Sequence, residues 1–182
     1  YNGWQKQGNT DKTIQGKLEQ ILLKMTGEEI EVHGSGRTDA GVHAKGQVAN
    51  FHIDWKELEK NGKNGKNGKN VSDLKSKKEE YGGKKTPDQI MEYINEYLPE
   101  DIAVLSCEAV PERFHSRLSA VKKTYCYQLE MGAKKDVFQR NYYYGLGNML
   151  DVDSMKEAAA FLTGTHDFKS FCGNKKMKKT TV

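Results

Sequence analysis

The sequence is short of cysteine, of long apolar runs and of clustered metal ligands, and each shortage removes a class of protein. Its three cysteines, Cys107, Cys126 and Cys172, are odd in number and far apart. With no C-x-x-C pair they offer neither a zinc site nor a redox couple, and they read as reduced thiols, mostly buried. No stretch approaches the roughly 18 apolar residues of a membrane-spanning helix, so no membrane association is expected. The start, Tyr1-Asn2-Gly3-Trp4, has no basic segment leading into an apolar one, and a cytoplasmic location is the expectation. His33, His43, His52, His115 and His166 are scattered without metal-ligand spacing, so no metal is expected. Gly34-Ser35-Gly36 lacks the trailing Gly-Lys-Ser/Thr of a phosphate loop and the G-x-S-x-G of a hydrolase.

What is present suits a soluble globular chain: 182 residues, 36% hydrophobic, enough for one good core or two small ones. The net charge of +4 conceals a division. Residues 60–85 hold nine lysines against Asp73, Glu79 and Glu80, and residues 169–182 add five lysines and no acid. The rest of the chain is therefore acidic. Two basic segments on an acidic body form a phosphate-attracting surface or simply lysine-rich loops in water; composition leaves both open. Within the first segment Asn61-Gly62-Lys63 is repeated three times. It offers no apolar residues to bury, so a mobile insertion is expected.

Periodicity sets the element order. From Ile14 the apolar positions Leu18, Ile21, Leu22 and Met25 recur at helical spacing, with Thr13 as the cap and Gly27 as the stop. Alternation predicts strands at Ile30–His33 and Gln47–Ile53, with Ala49, Phe51 and Ile53 on one face. Thr86-Pro87 opens a second helix whose inner stripe is Ile90, Met91, Ile94, Tyr97 and Leu98, closed by Pro99. Ile102–Val110 reads as a further strand. Helix, strand, strand, helix, strand is a ferredoxin-like β-α-β-β-α-β unit without its opening strand, so the fold class is α+β. A second unit begins with a strand from Thr124 to Met131 and continues with a helix from Ser154, where Met155, Ala158, Ala159 and Leu162 face inward and Gly164 stops it. The expected domains are residues 1–112, interrupted by the insertion at 60–85, and an incomplete 113–182. The pattern reads as cut at both ends.

The densest chemistry lies between the first two strands. Gly36-Arg37-Thr38-Asp39-Ala40-Gly41-Val42-His43-Ala44 packs an acid, a base and a histidine among small residues that leave the Asp39 carboxylate reachable. By residue type alone, an Asp in such a loop more often caps a turn or pairs with a neighbour such as Arg37. Arg37 grips phosphate or makes a structural ion pair, and Tyr125 stacks on a base or fills a core. His43 touches a ligand or merely orients the loop. Lys123 and Arg117 are phosphate contacts or ordinary exposed cations.

This run, followed by Gly46-Gln47-Val48-Ala49, closely resembles the tRNA pseudouridine synthase A family. Gly3-Trp4-Gln5 upstream and Phe114-His115-Ser116-Arg117, Ser119-Ala120 and Lys123-Thr124-Tyr125 downstream occur in the family's order. The resemblance covers the chain except the Asn-Gly-Lys insertion. It implies the pseudouridine synthase fold of two ferredoxin-like units and an isomerase that converts uridine to pseudouridine on the 3′ side of the tRNA anticodon stem and loop. No cofactor and no metal are implied. The resemblance makes Asp39 the catalytic aspartate and ties Arg37 to the extruded nucleotide and Tyr125 to the target uracil; Thr38, His43, Arg117 and Lys123 are further candidate substrate contacts. It further implies a homodimer at full length that cradles tRNA, and an arginine-bearing motif beyond Val182. A non-catalytic RNA-binding module on the same scaffold is the competing expectation. The intact Asp39 loop argues against it, since a binder of anionic RNA has no use for an accessible acid.

Overall fold

The computed structural model of the protein describes residues 1–55, 84–134 and 136–173. Most of the lysine-rich insertion and the end of the basic tail lie outside the described residues. The chain divides into two compact units, Tyr1–Thr124 and Tyr125–Val182. Residues 113–124 belong to the first of these units.

In the first unit, helix α1 spans Ile14–Thr26. The Thr13 side chain accepts the Gly16 amide at its start, and Gly27 closes it with φ of 81°. Strand β1, His33–Gly34, pairs antiparallel with β2, Ala49–Asn50, placing His33 opposite Asn50 and Gly34 opposite Ala49. Both are shorter than the alternation predicts, and Ala49 is exposed while Phe51 and Ile53 are half-buried. Helix α2 spans Pro87–Tyr97. A reciprocal capping box joins Thr86 and Gln89 at its start, which satisfies two otherwise orphaned donors.

Trp4, Ile21, Leu22, Val32, Ile90, Tyr93 and Ile94 form the core, so the two helices meet across it along the stripes read from sequence, except that in the second Tyr93 joins the core and Met91 stays half-buried outside it. Leu22 is fully buried. Removing a leucine of this kind from water contributes about 2–3 kcal/mol. The predicted strand at Ile102–Val110 does not form a ladder among the described residues. Its chain is tied instead to α2, where the Asn95 side-chain amide donates to the Val104 carbonyl at 2.9 Å and accepts the Val104 amide at 2.7 Å. Val104 and Cys107 still pack against the core.

The second unit is built differently. Strand β3, Leu129–Glu130, pairs parallel with β4, Tyr144–Gly145, and helix α3 spans Val152–Ala160. The expected strand from Thr124 is thus reduced to its last residues, and Tyr125 and Tyr127 are exposed. The helix starts before Ser154 because Asp151 caps it, accepting the Asp153 and Ser154 amides. None of its residues is buried, so the inward stripe of Met155, Ala158 and Ala159 meets solvent. None of the three cysteines is fully buried: Cys107 and Cys172 are half-buried and Cys126 is exposed. Among the described residues no helix is long and apolar enough to cross a membrane.

Candidate active site

The ladder β1–β2 is the base from which residues 36–46 project. Just beyond it the Ser35 amide donates to the Val48 carbonyl at 2.7 Å, and the Ser35 hydroxyl donates to Gln47 Oε1 at 2.8 Å. The Gln47 side-chain amide donates in turn to the Gly36 carbonyl at 2.5 Å. One glutamine thus ties the two stems of the loop together.

The tip is held from outside the hairpin. The Trp4 amide donates to the Thr38 carbonyl at 3.1 Å, and the Gly41 amide donates to the Tyr1 carbonyl at 3.2 Å. Within the tip the Val42 amide donates to the Asp39 carbonyl at 3.2 Å, closing a turn around the acid. The first residues of the chain therefore lie alongside the loop, and their sequence explains how closely. Gly3 has φ of 93°, and a Cβ there would lie 2.5 Å from the Thr38 carbonyl oxygen. A Cβ on Gly34 would lie 2.5 Å from the Trp4 ring. Only glycine at both places lets the Trp4 indole enter the core while its backbone grips the loop.

Asp39 and Arg37 are both exposed. Among the described residues no ion pair joins them, so the simple structural pairing weighed from sequence is not formed. Thr38 is half-buried and contributes its backbone carbonyl to the loop's support. His43 is exposed. Lys123 approaches the loop stem: a Cβ on Gly36 would lie 3.7 Å from the Lys123 Nζ. Arg117 is exposed, with its amide donating to His115 Nδ1 at 3.1 Å. The His115 ring stacks on that of His33 in β1, their centroids 5.3 Å apart. Arg37, Thr38, Asp39, His43, Arg117 and Lys123 thus all belong to the first unit, whereas Tyr125 opens the second, 76% exposed.

Two supports of the site carried no role in the sequence reading. Gln47 bridges the stems, and Ser116, 3% exposed, bonds to the ladder. Their membership in ordered motif fragments was the only available signal. Among the described residues no group of three or more His, Cys, Asp or Glu side chains is gathered as metal ligands.

An accessible carboxylate on a braced loop, with a lysine against its stem and arginines exposed nearby, suits chemistry on a phosphate-bearing substrate. The family model described as tRNA pseudouridine synthase matches residues 1–118, the stretch that carries the whole loop and its supports. The chain belongs to the tRNA pseudouridine synthase family. All 182 residues align with tRNA pseudouridine synthase A 2 of Bacillus cereus at 40% identity. They align likewise with tRNA pseudouridine synthase A 1 of Clostridium tetani at 43% and with tRNA pseudouridine synthase A of a Bacillus species at 40%. The chain spans 63% of the length of each of these relatives.

Proposed function

We propose that the polypeptide isomerises uridine to pseudouridine in tRNA, in the anticodon arm, with Asp39 as its catalytic residue. The observation that carries this reading is the family match over residues 1–118 together with the exposure of Asp39 at the tip of a loop braced from three sides. The reaction breaks the C1′–N1 bond, turns the uracil and joins C5 to C1′; N1 gains a proton and C5 loses one. A carboxylate that stabilises or captures the electron-poor sugar carbon, or takes a proton beside it, serves this chemistry. A second acid activating water would instead hydrolyse the intermediate and release the base, so one reactive carboxylate is the better instrument.

In this reading Arg37 holds the extruded nucleotide, Lys123 and Arg117 contact phosphates, Tyr125 stacks on the uracil, and Thr38 and His43 line the path of the strand. The order α1, β1, β2, α2 and an extended segment supports a ferredoxin-like organisation of the first unit. We further infer a cytoplasmic homodimer at full length, in keeping with the tRNA substrate.

The test is Asp39→Asn in the polypeptide at its full natural length, assayed by tritium release from tRNA bearing 5-tritiated uridine. Turnover falls by about 10³-fold or more while tRNA affinity stays near wild type. Unaltered turnover removes Asp39 from the chemistry. A wild-type polypeptide that binds tRNA and releases no tritium establishes the non-catalytic module instead.

A further inference from the structure

Resting on that reading of the site, we propose that Ser116 is a positioning residue, a clamp that fixes the wall carrying Lys123 against the stem of the Asp39 loop. Ser116 lies 83 positions from His33 and 66 from Asn50 in sequence, yet it bonds to both. Its hydroxyl donates to the His33 carbonyl at 2.7 Å, and its amide donates to Asn50 Oδ1 at 2.8 Å. His33 and Asn50 are opposite partners in the β1–β2 register, so one residue grips both strands at the root of the loop.

The chain on the far side of the clamp is itself braced. The Ser119 amide donates to the His115 carbonyl at 2.8 Å, and the His115 amide donates to the Ser119 hydroxyl at 3.2 Å. Four residues beyond this closed turn the Lys123 ammonium comes to the loop stem at Gly36. A lysine is a flexible point charge, and its placement depends on where its backbone is anchored. The burial of Ser116 at 3% exposure makes its bonds costly to leave unmade, which is the property a positional anchor needs.

The experiment uses full-length polypeptide and an unmodified tRNA transcript, with dissociation constants measured across salt concentration. Lys123→Ala lowers the slope of log affinity against log salt by about 1, the signature of one lost phosphate contact. Ser116→Ala is expected to weaken binding about fivefold, to lower the slope in the same way, and to add little more when combined with Lys123→Ala. Asn50→Ala releases the clamp from the other strand and is expected to behave likewise, so it decides the matter if Ser116→Ala does not fold. Folded variants that bind with the wild-type slope, or whose losses add fully to that of Lys123→Ala, overturn the clamp and leave Ser116 a purely structural residue. A wild-type polypeptide that makes no pseudouridine sinks the proposed function, while the binding cycle still judges the clamp.

Discussion

The first unit holds a buried core of aromatic and aliphatic side chains, whereas helix α3 of the second buries none. Leu22, Val32 and Ile94 are each at most 2% exposed, yet α3 in the second unit has no buried residue and Phe161, Tyr127 and Phe138 stand more than 80% exposed. The difference bears on function because the loop bearing Asp39 grows from the region that has a core. Its shape is set by Trp4, which sits in that core, and by Gln47 and Ser116, which bond to the hairpin, and a braced loop keeps its carboxylate in one place. Tyr125 has no comparable seat within its own unit. A side chain on a rigid wall and one on an open surface are different materials from which to build a site.

The contrast is tested most sharply at Leu22 and Met155. Leu22→Ala is expected to destabilise the first unit by about 2–5 kcal/mol in urea unfolding followed by tryptophan fluorescence, whereas Met155→Ala changes stability by no more than about 0.5 kcal/mol in urea unfolding followed by far-UV circular dichroism. Equal costs would show that α3 is packed as tightly as α1, and the distinction between the units would disappear.

A smaller effect probes the brace between core and loop. Gly34→Ala puts a methyl group against the Trp4 ring and is expected to cost about 1–3 kcal/mol. Because Trp4 also holds the Thr38 carbonyl, the same change lowers tritium release in the full-length polypeptide at saturating tRNA. Wild-type stability and turnover together would mean that Trp4 does not set the loop.

The smallest effect sharpens the description of the second unit. Amide bonds from Ser154, the Ser154 hydroxyl and the Asp153 amide hold the Asp151 carboxyl below its ordinary value. A depressed folded-state pKa contributes stability that is present above the unfolded value and lost as pH falls through the folded one. The start of α3 should therefore fray below about pH 4, seen as loss of the Ser154 amide signal's dispersion in an acid titration by NMR. Asp151→Ala removes the pH dependence, and a titration at the ordinary carboxylate value would dismiss the cap.

The elements that were legible from sequence are those whose causes lie within a few residues. The ends of α1 follow from Thr13 and Gly27, the start of α2 from Thr86-Pro87-Asp88-Gln89, and both buried stripes from a period of 3.6. The misplaced elements lack such closeness. Alternation in Ile102–Val110 signals an extended chain, but a strand also needs a partner edge, and here Asn95 takes that place. The apolar stripe of α3 is real in sequence and unburied in structure, since periodicity states which face is apolar and not what covers it.

By itself, then, the amino-acid order determined the two helices of the first unit, the position of Asp39 among small residues, and membership in a family whose motif surrounds that acid. Capping, helical spacing and a nine-residue signature are local information, readable without distances. Tertiary structure alone decided that Trp4 and Tyr1 hold the tip, that Arg37 and Asp39 do not pair with each other, and that Ser116 reaches back to the roots of the hairpin. Those contacts join residues as far as 83 positions apart through single hydrogen bonds, and a bond of that kind leaves no periodic mark in the chain that makes it.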